Sequence, residues 1–240
     1  SISFSGADNY ALTGIDPNTL YYFNIFAYDT WLYSTSSASE LSTTTLAAVP
    51  LSVSPVVSSN SSITVSWNAN SNPSGTVYEL YNITDASVST TTIDTSFEVT
   101  GLSVNTAYTF KVRAENTAQA STYSSYTADT AALYTLADTP NTPSVVTSTA
   151  TTTLDITLGA DNGATTYLVY DSANTKFLQA DGTWSSSTGT AWISYAGLGG
   201  GSATSTTGLS ANILYTIQVM ARNGDNESTP YSSSLSAYTL

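Results

Sequence analysis

An eight-residue pattern occurs three times in this chain: Gly14-Ile15-Asp16-Pro17-Asn18-Thr19-Leu20-Tyr21, Gly101-Leu102-Ser103-Val104-Asn105-Thr106-Ala107-Tyr108, and Gly208-Leu209-Ser210-Ala211-Asn212-Ile213-Leu214-Tyr215. Each copy runs on into strict alternation. Tyr21, Phe23, Ile25 and Ala27 share one face, as do Tyr108, Phe110, Val112 and Ala114, and Tyr215, Ile217, Val219 and Ala221. Alternation over eight residues describes a β-strand with one face buried. The three glycines are 87 and 107 residues apart. Leu46, Leu136 and Leu240, each closing a Ser/Thr-rich final strand, are 90 and 104 apart. Two markers that drift together make a true repeat. Units of about 90 residues are large enough to be separate sandwich domains rather than solenoid turns.

Proline marks the joints. Ala47-Ala48-Val49-Pro50 leads to Pro55, and Leu136-Ala137-Asp138-Thr139-Pro140-Asn141-Thr142-Pro143 precedes the last unit. Proline supplies stiff backbone without a donor, suited to a first edge strand. Links this short imply semi-rigid beads rather than floppy tethers.

Composition bears on chemistry more than on fold. The chain has 240 residues, 4 Lys+Arg, 17 Asp+Glu and a formal net charge of -13. Four basic residues cannot build the positive footprint that nucleic acid or an anionic membrane requires. There is no His and no Cys. Their absence removes histidine acid–base catalysis, thiol nucleophiles, His/Cys zinc sites and disulfides. Serine and threonine fill 81 of 240 positions. The hydrophobic fraction of 41% nevertheless supports packed cores. No apolar run reaches the roughly 20 residues of a membrane-spanning helix. The first residue is Ser1 rather than Met, so the missing signal peptide says little about location.

The second unit resembles a fibronectin type III module, a seven-strand relative of immunoglobulin domains. Ser62-Ile63-Thr64-Val65-Ser66-Trp67 looks like the B strand with its core Trp. Val77-Tyr78-Glu79-Leu80-Tyr81 looks like strand C, and Thr95-Ser96-Phe97-Glu98-Val99 like strand E. Gly101 through Tyr108 resembles the E–F turn with its tyrosine corner, where the Tyr hydroxyl returns to the backbone. The resemblance implies an all-β fold of tandem fibronectin type III-like seven-strand β-sandwiches, the first incomplete. The expected domains are 1–46 (a partial module equivalent to strands E, F and G), 47–136 (a complete module) and 137–240 (a module with an insertion at about 171–206). Trp67, Tyr21, Tyr108 and Tyr215 are the core markers.

Two units depart from the pattern. In the third, Leu158 stands where Trp67 stands in the second, so its core must be filled differently. Its insertion predicts a hairpin about Asp181-Gly182, then an apolar patch at Trp192, Ile193 and Tyr195. In the first unit, Ser3-Phe4-Ser5 through Ala11-Leu12-Thr13 sits at the place of strand E, and the counterpart of residues 47–90 is missing. Such a piece leaves a hydrophobic face and strand edges open. Either another polypeptide, a copy of this chain or another fragment, completes it, or the sequence is a piece of a longer one.

Candidate sites are few. Carboxylates at Asp85, Asp94, Glu98, Asp155, Asp161, Asp171 and Asp181 are scattered, and no Gly-x-Ser-x-Gly elbow, phosphate loop or metalloprotease motif occurs. No catalytic residue, metal ligand or cofactor is expected, and the chain reads as no enzyme. Calcium is the one metal its oxygen-rich composition favours, at Asp161-Asn162-Gly163 or Asp225-Asn226-Glu227, although both are first of all turn formers. Asn60, Asn82 and Asn226 fit the N-glycosylation pattern. Trp184, Trp192 and Tyr195 form either a contact surface for sugar or protein, or a cover folded back over the unit.

Together these features describe a non-catalytic structural segment of an extracellular or cell-surface assembly, such as a surface layer, sheath or filament. The competing reading is an adhesin, or a carbohydrate- or protein-binding accessory module of an extracellular enzyme. Nucleic acid and a membrane span are excluded as partners of this chain, and surface glycans remain open.

Overall fold

The computed structural model describes residues 10–25, 40–119, 121–147 and 150–240. Of the stretch from Ser3 to Thr13 expected at the place of strand E, residues 3–9 lie outside the described residues, as does Ala27, and Tyr10–Thr13 form no strand. Two compact units are distinguished: Ser1–Ser54 with Ser66–Phe97 and Phe110–Thr130, and Pro55–Val65 with Glu98–Thr109 and Ala131–Leu240. The architecture is all-β, built from antiparallel sheets.

Near the N-terminus, β1 (Leu20–Phe23) pairs with β2 (Leu41–Thr44). Tyr21 and Phe23 share a face and are half-buried, whereas Tyr22 and Leu41 are each 61% exposed. The middle of the chain forms β3 (Leu51–Val57), β4 (Ser62–Asn68), β5 (Tyr78–Asn82), β6 (Ser87–Thr92), β7 (Ser96–Thr100), β8 (Ala107–Tyr108), β9 (Phe110–Ala114) and β10 (Leu133–Tyr134). Their sheets run β3-β4-β7, β6-β5-β9 and β10-β8. Burial follows the alternation of the sequence. Ile63 and Val65 on β4 and Phe110, Val112 and Ala114 on β9 are all fully enclosed, while the residues between them are partly exposed. Trp67 is buried and meets Tyr78 edge-on, with ring centroids 5.7 Å apart.

The last part of the chain forms β11 (Ser144–Thr147), β12 (Leu154–Thr157), β13 (Thr166–Asp171), β14 (Lys176–Leu178), β15 (Trp184–Ser185), β16 (Trp192–Ile193), β17 (Thr204–Thr206), β18 (Leu214–Arg222) and β19 (Leu235–Tyr238). One sheet is β11-β12-β17 and the other β15-β14-β13-β18-β19, with β16 beside β13. Val145, Leu154 and Ile156 of the first pack with Tyr167, Val169, Ile217, Val219 and Ala221 of the second, which makes a β-sandwich.

Residues 176–198 contribute to the core of this last sandwich. β14 and β15 form the hairpin expected at Asp181-Gly182, with Leu178 opposite Trp184. Trp192 and Ile193 extend the same edge by pairing with Leu168 and Tyr167. Leu178, Ile193 and Leu198 are buried in the core beside Leu158, and Trp184 and Tyr195 lean on it.

A Ser/Thr ladder closes each of the two later segments. Ser124, Thr127 and Thr130 donate their N–H groups to the carbonyls of Ala114, Val112 and Phe110 at 2.7, 2.8 and 3.0 Å. Their hydroxyls accept the N–H groups of those same three residues at 3.0–3.1 Å. Thr229 and Ser232 do the same for Ala221 and Val219. A backbone that bonds at every third residue is extended with roughly three residues per turn, closer to polyproline geometry than to a strand. Hydroxyl oxygens take the place of carbonyls along this line. Such an edge offers no regular row of free backbone groups to a stray strand.

Candidate functional site at the strand corners

The three sequence repeats fold into one local structure. Gly14, Gly101 and Gly208 have φ of 71, 75 and 74°, which a side chain would oppose. Two residues beyond each glycine, the N–H of Asp16, Ser103 or Ser210 donates to the hydroxyl oxygen of Tyr21, Tyr108 or Tyr215, at 2.8, 2.9 and 3.0 Å. A threonine near the end of the partner strand ties the other side. The hydroxyl of Thr45 donates to the Asp16 carbonyl at 2.6 Å, that of Thr135 to Ser103 at 2.7 Å and that of Thr239 to Ser210 at 2.6 Å. Between these anchors stand Asn18, Asn105 and Asn212, each in the left-handed region with φ of 47, 45 and 56°. Asparagine tolerates that region, and here its N–H donates to the carbonyl of Leu46, Leu136 or Leu240 at 3.1–3.2 Å.

Held this way, the asparagine side chain projects from the corner with both polar atoms outward. In the first unit, Asn18 Nδ2 donates to Thr76 Oγ1 at 3.0 Å and to the Glu115 carbonyl at 3.2 Å. Its Oδ1 accepts the Thr117 N–H at 2.8 Å and the Thr117 hydroxyl at 2.6 Å. In the second unit, Asn105 Nδ2 donates to the Gly163 carbonyl at 2.6 Å and to Thr165 Oγ1 at 3.1 Å, while Oδ1 accepts the Gly224 N–H at 2.8 Å. The receiving positions correspond. Thr76 and Thr165 each lie two residues before a buried tyrosine, Tyr78 or Tyr167, and Thr117 and Gly224 each follow a buried asparagine, Asn116 or Asn223.

Those buried asparagines grip the neighbouring link. Asn116 Oδ1 accepts the Ala47 N–H at 2.6 Å, and Asn72 exchanges two bonds of 2.8 Å with the backbone of Ala48. Asn223 Nδ2 donates to the Thr135 carbonyl at 3.1 Å, and Asn162 Nδ2 donates to the Asp138 carbonyl. Asn72, Asn116 and Asn223 are 7, 7 and 1% exposed. Buried amides persist only when their bonds are made, so these links hold a defined conformation.

The outer face of β5 and β9 carries a second cluster. Arg113 grips Glu79 with two bonds of 2.8 and 3.0 Å, and its guanidinium lies 4.0 Å from the Tyr123 ring centre and 4.5 Å from that of Tyr126. The Tyr126 hydroxyl also donates to Glu79. Lys111 sits over Tyr81 and Tyr126 at 4.9 and 4.4 Å. Burial works against the Glu79 carboxylate, but the bonds from Arg113 and Tyr126 outweigh it and hold its pKa below the usual value. Burial and the bond to Glu79 push the Tyr126 hydroxyl up to about 12. Its members satisfy one another, which suits a rigid outer face better than proton transfer.

The remaining candidates take ordinary places. Trp184 and Tyr195 pack against the core, Tyr195 donates its hydroxyl to the Gly159 carbonyl at 2.7 Å, and Trp192 carries the Arg222 guanidinium 4.5 Å from its ring centre. Asn226 is exposed, whereas Asn82 is 1% exposed with Nδ2 bound to Asp85, and Asn60 Nδ2 donates to Asp138. Of the turn carboxylates, Asp161 accepts the Gly163 N–H and the Tyr167 hydroxyl, and Asp225 accepts the Tyr134 N–H. Among the described residues no three His, Cys, Asp or Glu side chains gather as a metal site, and no helix is long and apolar enough to cross a membrane.

No curated protein matches the chain. Among solved structures, a two fibronectin type-III domain segment from chicken tenascin is similar at 15% identity and a TM-score of 0.46, covering 78% of this chain and 97% of its own. Fibronectin type III domains are non-enzymatic modules, generally structural or binding in role and common in extracellular proteins. The family model of the fibronectin type III domain matches residues 48–130 of this chain.

Proposed function

We propose that this chain is a non-catalytic structural segment of an extracellular or cell-surface assembly, a surface layer, sheath or filament, in which it spaces and connects domains. The observation that carries the reading is the corner asparagine, which twice makes the same set of bonds to a threonine, a carbonyl and an N–H of the next loops. A connector needs a defined angle at each link, and bonded amides at Asn72, Asn116 and Asn223 supply it without apolar patches that would aggregate. The net charge of -13 keeps neighbouring chains apart until specific contacts form.

The pair β1-β2 belongs to the same reading. Tyr21 and Phe23 are only half-buried, whereas their counterparts Tyr108 and Phe110 are 3 and 0% exposed. Strands of a second copy or of another fragment would complete this sheet, as in strand addition. Electron microscopy of native material tests the proposal. Regular polymers that bind antibody raised against residues 48–130 support it. Material recovered only as monomers, with saturable sugar binding that falls on replacing Trp192 or Tyr195, would favour the adhesin reading instead.

A further inference from the structure

Residue size at the two bonded corners is matched across the contact. In the first, Thr44 precedes the anchoring Thr45, and the residue that meets Asn18 is Thr117. In the second, Tyr134 precedes Thr135, and the residue that meets Asn105 is Gly224. The Tyr134 ring lies so close over Gly224 that a Cβ there would meet its carbons at 2.5 Å. The Tyr134 N–H also donates to Asp225 Oδ2 at 2.7 Å. A small corner residue thus goes with threonine on the receiving loop, and a tyrosine goes with Gly-Asp.

The third corner has the same construction with Tyr238 before Thr239. Asn212 has φ of 56°, and its N–H donates to the Leu240 carbonyl at 3.2 Å. Thr239 makes the anchoring bonds to Ser210 and Ile213 that Thr135 makes to Ser103 and Thr106. Both projecting side chains are exposed, Tyr238 at 57%. Among the described residues no hydrogen bond reaches the Asn212 side chain.

We propose that the Asn212–Tyr238 corner is a docking site for a further β-sandwich domain whose receiving loops carry the pattern of Thr165 and of Asn223-Gly224-Asp225. Asn212 would bond its threonine hydroxyl and glycine N–H, Tyr238 would lie over the glycine, and the Tyr238 N–H would meet the aspartate. A domain with threonine in place of that glycine, the arrangement at Thr117, is excluded by the Tyr238 ring. Within this chain the matching loops already hold Asn105, so the occupant is a separate domain. The inference names the partner in the connector reading and rests on that reading only for its purpose.

The full chain extended after Leu240 by a second copy of residues 137–240, which repeats the natural Leu136-Ala137 step, provides the test. The readout is hydrogen exchange at the Gly224 N–H of the appended copy, followed by NMR. Exchange there is expected to match that of Gly224 in the original copy and to become about tenfold faster when Asn212→Gly removes the acceptor. Gly224→Ala in the appended copy alone should have the same effect through the tyrosine clash. Equal exchange with and without the Asn212 side chain, in a copy whose spectrum shows it folded, overturns the proposal. A monomeric native protein would defeat the connector reading and leave this result untouched.

Discussion

Replacing Asn105 with glycine removes one side chain and leaves the backbone able to keep its φ of 45°. Three hydrogen bonds go with it, to the Gly163 carbonyl at 2.6 Å, to Thr165 Oγ1 at 3.1 Å and from the Gly224 N–H at 2.8 Å. Asn105 is partly exposed, so water can reach some of the freed groups, and each bond counts near the low end of the usual range. Three bonds at about 0.5 kcal/mol each come to about 1.5 kcal/mol. For a cooperative unit of this size, 1 kcal/mol moves Tm by about 2–4 °C, so the expected fall is about 3–6 °C. Asn212→Gly is the control, because it makes the same backbone change at the same corner where the side chain bonds nothing among the described residues. Differential scanning calorimetry of both variants should show Asn105→Gly melting lower than Asn212→Gly by that amount. Equal melting temperatures would refute the claim that the corner asparagine couples the elements it touches.

Other outcomes follow from the same contacts. Trp184→Ala should lower stability by about 2 kcal/mol, below the full range for a buried ring because Trp184 is only partly buried, as read by denaturant unfolding. An unchanged midpoint would mean that the ring is no part of the core. Absorbance titration should find Tyr126 ionising near pH 12, and Tyr126→Phe should remove one late-titrating phenol. Because the folded pKa lies above the unfolded value of 10, its contribution is complete below pH 10 and disappears as pH rises toward 12. Glu79 has the opposite dependence. Its depressed pKa makes its pair with Arg113 fully stabilising above the unfolded carboxylate range and lost as pH falls below it, so Arg113→Met should flatten the acid limb of a stability–pH curve.

The corners and strands were legible because each leaves a local mark. Glycine at a positive φ, a tyrosine seven residues later and alternating apolar residues can all be read without a partner in view. Much of the insertion was legible for the same reason, since Asp181-Gly182 announces its own turn. Three features were not. The bonds of Asn18 and Asn105 run to residues 58–119 positions away, and asparagine in a turn is ordinary until its target is seen. The Ser/Thr ladder has a visible signal, with hydroxyls at 124, 127 and 130, but three-residue spacing is neither helical nor strand-like, and so it passes for loop composition. The pairing of Tyr134 with Gly224 against Thr44 with Thr117 becomes meaningful only after the corners and loops are superposed by role.

The most direct test of the connector account is nitrogen-15 relaxation of the intact chain in solution. If bonded asparagines hold the links, amides of residues 48–130 and of residues 150–240 will report one common, long rotational correlation time, and Asn105→Gly will separate it into two shorter ones. Two short, independent correlation times in the unmodified chain would show freely jointed domains and contradict the account.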